Sequence, residues 1–166
     1  QVGADIDGEA AGDKFGHAVS LSDDGSRIAI GASSNDGNGS ASGHVRVYDL
    51  IGTTWTQVGA DINGEAAGDQ FGYAVSIDDA GDRIVVGARS NDGNGSNSGH
   101  ARVFDWNGTA WTQVGADING EAAGDQFGYA VSINGAGTRI VVGATLNDGN
   151  GSNSGHARVF DLVGTT

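Results

Sequence analysis

Short apolar runs alternate along the chain with stretches of Gly, Asp, Asn and Ser. In the second of three similar stretches the apolar runs are FGYAVSI (71–77), RIVVGA (83–88), HARVFDW (100–106) and WTQVGADI (111–118). β-Branched and aromatic residues concentrate in these runs and turn formers lie between them, the signature of strands. DDAGD (78–82) and NGTA (107–110) are short enough to close hairpins. No stretch carries a 3.6-residue apolar period long enough for a helix. The pattern predicts an all-β chain of antiparallel strands, called A, B, C and D in order within each copy.

The copies follow one another at a fixed interval. QVGADI begins at residues 1, 57 and 113, a period of 56, kept by Phe15, Phe71 and Phe127 and by His44, His100 and His156. The chain therefore divides into repeats 1–56, 57–112 and 113–166, the last stopping where Trp-Thr would follow. Four antiparallel strands per repeat, apolar on both faces, predict the blades of a β-propeller, in which each sheet packs against a neighbour on either side. A β-solenoid is the competing reading, but its rungs are shorter and need no four hairpin-linked segments.

In blade order the chain runs D, ABCD, ABCD, ABC. Gln1–Ile6 reads as a spare outer strand, and the third repeat ends after a strand C at 156–162. Three blades are too few for a ring, since propellers have ~4–8. An exposed, unpaired strand edge favours association. The expectation is a homodimer closing six blades, each N-terminal strand completing the other chain's last blade. The alternatives are a filament, if the same contact does not close, and a piece of a longer propeller.

Composition narrows the function classes. The chain holds 31 Gly and no Pro, Cys or Met, so there is no disulfide framework or thiolate chemistry. Twenty-one acidic against eight basic residues give a net charge of −13. Such a surface repels phosphate backbones and argues against nucleic-acid binding, while it attracts cations. No apolar run approaches the ~18 residues of a membrane-spanning helix, so no membrane insertion is expected.

FGxAVS, then RIxxGA, then GHxRVxD, preceded by GEAAGDxFG, recur in the three repeats, and this pattern resembles the FG-GAP repeat of integrin-α-type propellers, in its bacterial and marine variants. The resemblance implies an extracellular or cell-surface, adhesion-type module that binds protein or glycan. Two departures qualify it. Ser33, Arg89 and Thr145 replace the proline of GAP, and the acidic calcium loop expected between strands A and B reads SDDGS, DDAGD and NGAGT. Calcium does not carry over to that loop.

Propeller geometry places the D–A and B–C loops together on one face. The second and third repeats differ at eight of 54 shared positions, and GADINGEAAGDQFGYAVS and NDGNGSNSGHARVFD are unchanged between them. That loop face is therefore the candidate functional face. Its D–A loops offer Asp61, Asn63, Glu65 and Asp69, with counterparts Asp117, Asn119, Glu121 and Asp125. These oxygens suggest a calcium site, against the plainer reading in which Asn-Gly turns and Asp69 bonds backbone amides. The B–C loops add Asp36, Asn38, Asp92, Asn94, Asp148 and Asn150 as a binding face. An EF-hand register fails there, because Asn97 stands at the required Gly and Val103 at the bidentate Glu. Asn38, Asn94 and Asn150 also satisfy N-x-S. His44, His100 and His156 are expected to tie loop to strand by a hydrogen bond. His17 occupies the position of Tyr73 and Tyr129 and is expected to fill an aromatic slot, and Trp55, Trp106 and Trp111 to pack within and between blades.

Catalysis needs different groups placed around one substrate, and nearly every polar feature here recurs in each repeat. No catalytic residue is assigned, and Asp/Glu pairs leave a glycosidase as the remaining enzymatic reading. A structural or self-assembling role, in a recently amplified or engineered symmetric propeller, is the principal alternative to a binding module.

Overall fold

A computed structural model describes residues 1–162; residues 163–166, the end of the third repeat, lie outside it. Its described residues form three antiparallel sheets, one per repeat, and no helix. Blade 1 comprises β1 (Phe15–Leu21), β2 (Arg27–Ala32), β3 (His44–Ile51) and an outer strand in two pieces, β4 (Thr54–Gln57) and β5 (Ile62–Asn63), both paired with β3. Blade 2 is β6 (Phe71–Ile77), β7 (Arg83–Ala88), β8 (His100–Trp106) and β9 (Trp111–Asn119). Blade 3 holds β10 (Phe127–Ile133), β11 (Arg139–Ala144) and β12 (His156–Asp161). Register repeats with sequence: Ile28 faces Tyr48, Ile84 faces Phe104 and Ile140 faces Phe160.

Both faces of blade 2 are covered, one by each neighbour. Ala29 and Val47 of blade 1 share a core with Val75 and Ile77 of blade 2. Val85 and Val103 of blade 2 share the next with Val131 and Ile133 of blade 3. The sheets approach so closely near the loop face that a Cβ on Gly87 would lie 2.0 Å from the Gly128 carbonyl oxygen, and one on Gly31 2.1 Å from that of Gly72. Arg27 and Arg83 pin the opposite end. Arg83 pairs with Asp105 at 2.5 Å and donates to the carbonyl of Gly137 in the next blade at 2.7 Å, and Arg27 does the same with Asp49 and Gly81.

Gln1–Ile6, expected as an outer strand, forms no ladder among the described residues. It nonetheless lies where such a strand belongs. Trp55 Nε1 donates to the Val2 carbonyl at 3.1 Å, just as Trp111 Nε1 donates to that of Val58 at 3.1 Å.

Candidate functional site

The loop face is built by a clamp repeated in sequence. Asn91 at the start of a B–C loop accepts from Gly93 N at 2.8 Å, while its amide donates to buried Asp69 of the preceding D–A loop at 3.0 Å. Asp69 also accepts from Ala66 N at 3.1 Å, the backbone-capping role foreseen for it. On the other side, Asn94 Nδ2 donates to the carbonyls of Gly120 and Glu121 in the following D–A loop at 2.8 and 3.0 Å. The B–C loops of blades 1 and 2 are thereby each held between two D–A loops, and that of blade 3 is held to the preceding one. Asp92 stabilises the turn itself, accepting from Asn97 N at 2.7 Å where Asn97 has a φ of 51°. Asp36 and Asn38 repeat these bonds in blade 1 with Ala41, Gly64 and Glu65. In blade 3, Asp148 accepts from Asn153 N and Asn150 N donates to Ser154. The Nδ2 atoms of Asn38 and Asn94, which a glycan would need, are spent on two carbonyls each.

The acidic residues of the D–A loops do not gather in one loop. Asp61 turns back across blade 1, where Arg46 grips it through Nε at 2.8 Å and a terminal nitrogen at 3.0 Å. Arg46 also pairs with Glu9, and His44 Nδ1 lies 3.9 Å from Glu9 and 3.8 Å from Asp61. In blade 2, Glu65 lies 3.8 Å from His100 Nδ1 and 3.6 Å from Arg102, with Asp117 completing the group. Glu121 stands likewise 3.7 Å from His156 and 3.5 Å from Arg158. Asp61 and Glu65 thus belong to different blades. The backbone carbonyls of Asn63 and Asn119 accept from Arg102 and Arg158, and Asp69 and Asp125 serve the clamp. The repeating unit is a quartet: Glu from a D–A loop, His and Arg from strand C, and Asp from strand D. Sequence reasoning missed it because its members lie up to about fifty residues apart and meet only through strand register.

Ligand atoms of Glu9, His44 and Asp61, and of Glu65, His100 and Asp117, lie within 4.8 Å of one another. One imidazole and two carboxylates suit a transition ion better than calcium, which takes six to eight oxygens. Each quartet already contains a cation, the guanidinium. Arg46, bound to Asp61 and Glu9, is pushed above its ordinary pKa, and Asp61 is held below the usual carboxylate range by Arg46. Arg102 stacks 4.3 Å from the centre of the Phe71 ring, and burial pushes its pKa down.

The histidines do not make the loop-to-strand hydrogen bond expected of them. Nε2 of His44, His100 and His156 has no hydrogen-bond partner among the described residues, nor has Nδ1 of His100. Burial pushes His100 down to about 4 and lowers His44, so both are neutral at pH 7. His44 and His156 pack as aromatic rings, His44 edge-on to Phe15 at 6.4 Å and His156 edge-on to Phe127 at 6.4 Å.

A second feature of the face comes from strand A. A bulge between Phe71 and Ala74, with Gly72 at φ 81°, interrupts the ladder at Tyr73, the kind of irregularity that re-aims a side chain. His17, Tyr73 and Tyr129 form a continuous row, with ring centres 4.6 and 5.2 Å apart. Arg89, from the B–C loop, lies 4.1 Å from the Tyr73 ring centre and 5.8 Å from that of Tyr129. Its Nε donates to Gln70 of the D–A loop at 2.9 Å. The row is thus tied to both loops of the candidate face. The available signal was the recurrence of an aromatic or imidazole ring at 17, 73 and 129 beside Arg89, a position at which the second repeat departs from the third.

The family model described as FG-GAP repeat matches residues 6–48, 63–104 and 119–160. A solved structure titled Kuenenia stuttgartiensis Hydrazine Synthase is similar over 87% of this chain and 33% of its own, at 16% identity and a TM-score of 0.55. The chain spans about a third of that structure's length, and the likeness concerns the fold alone. No curated protein matches the chain.

Proposed function

The chain belongs to the FG-GAP repeat family, and from that premise we propose that it is a non-enzymatic propeller module, extracellular or at the cell surface, which binds glycan or protein through its D–A/B–C loop face. The row His17, Tyr73 and Tyr129 under Arg89 carries this reading, because it sets ring faces and a guanidinium on the face that both loops build. Tyr and Arg are the residues enriched at the energetic centres of interfaces, and flat rings with polar rims favour a sugar. Repetition around the axis multiplies weak contacts into avidity. The non-enzymatic part rests on the carboxylates of that face: those of the quartets sit beside Arg, and Asp69 and Asp125 are committed to the clamps, so these groups do not serve as an acid–base pair around one substrate.

The experiment is a glycan array read with labelled wild-type chain and with the Tyr73→Ala, Arg89→Thr double variant. Retention of defined glycans by wild type, reduced at least about tenfold in the variant, is the expected result. Equal retention of both chains across the array overturns the site. Calcium enters this reading only where a quartet releases its arginine. A melting temperature that is the same in millimolar calcium and in chelator is expected, and a rise in calcium would add the ion, because a ligand bound only by the native state stabilises it.

A further inference from the structure

The two internal blade interfaces are copies of each other, and the ends of the molecule present their unmatched halves. Val75 and Ile77, on the side of blade 2 facing blade 1, are 8% and 6% exposed, whereas their equivalents Val19 and Leu21 on blade 1 are 61% and 55% exposed. On the opposite side, Val47 and Val103 are 1% and 2% exposed, and their equivalent Val159 on blade 3 is 62% exposed. The surface of blade 3 is therefore the surface that blade 1 uses to bind blade 2, and the free side of blade 1 is the one that blades 2 and 3 use to receive a neighbour.

Two polar features are incomplete in the same direction. Arg27 and Arg83 each donate to a glycine carbonyl of the next blade, Gly81 and Gly137; Arg139 pairs only with Asp161 among the described residues, and Gly25 is the matching glycine of blade 1. Glu121, His156 and Arg158 form a quartet without its strand-D aspartate. Asp5 is the equivalent of Asp61 and Asp117, and it is already held by Gln1 Nε2 at 2.8 Å, as Asp61 is by Gln57 at 2.7 Å and Asp117 by Gln113 at 2.8 Å. Finally, a groove of about 230 Å³ runs between blade 2's outer strand and β12, lined by Val114, Ile118, Phe160 and Leu162.

We propose that two copies of the chain join head to tail into a six-bladed ring, blade 3 of each docking on blade 1 of the other. Gln1–Ile6 of each copy becomes the outer strand beside the other's β12. The register follows from blade 2, where Val103 faces Val114 and Ala101 faces Ile118: Val2 of one copy faces Val159 of the other, and Ile6 faces Ala157. Asp5 then completes the quartet of Glu121, His156 and Arg158. Six is the multiple of three within the ~4–8 blades that propellers use. Ligand binding is read on the Tyr73–Arg89 pair within one chain, so its failure and the failure of assembly are told apart.

The test is sedimentation of the 166-residue chain and of two variants, Val19→Glu and Val159→Glu. Both positions are exposed in the single chain, so neither substitution burdens its folding, which circular dichroism verifies. Wild type is expected at twice the 16.6 kDa chain mass, and each variant alone at the single-chain mass, its self-association weakened at least about tenfold. Mixing the variants should restore pairs, because the mixture contains one intact interface, Val159 of the Val19→Glu chain against Val19 of the Val159→Glu chain. A dimer that joins the same one of these faces on both copies would instead be broken by one variant and untouched by the other, with no rescue on mixing. That result overturns the proposal, as does a wild-type chain that stays single at about 100 μM or that grows into open polymers.

Discussion

Asp69 shows how much of the loop face depends on single buried oxygens. The residue is 4% exposed, and its carboxylate accepts from both Ala66 N and the Asn91 amide. Asp69→Ala leaves two donors without partners, and the expected loss in urea unfolding is about 1–3 kcal/mol; Asp125→Ala, with the same bonds to Ala122 and Asn147, should match it. The bond of Asp69 to Asn91, 22 residues on, lay beyond the sequence, while its bond to Ala66 N was legible there as one of the two readings of this residue. The grip of Arg46 on Asp61 was not, because fifteen residues separate them and only the pairing of strands C and D brings them together. The buried histidines give a pH dependence of definite sign. His100 is lowered to about 4 in the folded chain, so the unfolded chain, with an ordinary value of 6.5, binds the proton first as pH falls. The stability contributed by neutral His100 is complete above pH 6.5 and lost between 6.5 and 4, with a slope of up to about 1.4 kcal/mol per pH unit. His44, lowered in the same direction, adds to it. Unfolding free energies measured at pH 7.5, 6 and 5 should decline, and His100→Phe, which keeps the ring, should flatten the decline.

The strand pattern of each blade was readable because period-2 alternation and turn residues are local signals, and a 56-residue recurrence repeats them. What lay beyond reach came from neighbouring elements. Blade 1's outer strand is broken between β4 and β5 while β9 runs unbroken, although the segment involved, Val58–Asp61 against Val114–Asp117, is identical. The difference lies in the next blade: Trp111 Nε1 takes the Val58 carbonyl and the rings of Trp106 and Trp111 crowd Gly59, and β9 has no such contact among the described residues. The bulge that places Tyr73 was equally hidden, since FGYAVSI reads as an uninterrupted strand. Close blade approach makes one element-level prediction. Gly87→Ala puts a methyl group into the Gly128 carbonyl, where backbone on both sides must yield. The expected cost in urea unfolding of dilute single chains is about 3 kcal/mol, the upper end for overpacking, whereas Gly143→Ala, whose Cβ would meet nothing nearer than 3.8 Å in a single chain, should cost far less despite its equivalent place in blade 3.

At the scale of the whole molecule, stacked repeats behave as a one-dimensional array in which each unit draws stability from the interfaces on its two sides. Blade 2 has both interfaces among the described residues and blade 3 has one. RIVVGA occurs at 83–88 and 139–144, and HARVFD at 100–105 and 156–161. Intrinsic exchange chemistry and local propensity are thus the same in the two blades, and any difference in protection reports packing alone. Val85 and Val103 are buried, while Val141 and Val159 are 36% and 62% exposed. In a dilute sample of single chains, amide exchange followed by NMR should be at least about tenfold slower in β7 and β8 than in β11 and β12. Head-to-tail closure covers blade 3 with blade 1 of the other copy, so raising the concentration should erase most of that difference while leaving β7 and β8 nearly unchanged. The Val159→Glu chain, unable to close, should keep the difference at every concentration. Equal protection of the paired segments in single chains would mean that blades are stabilised from within, and that the interfaces between them contribute little.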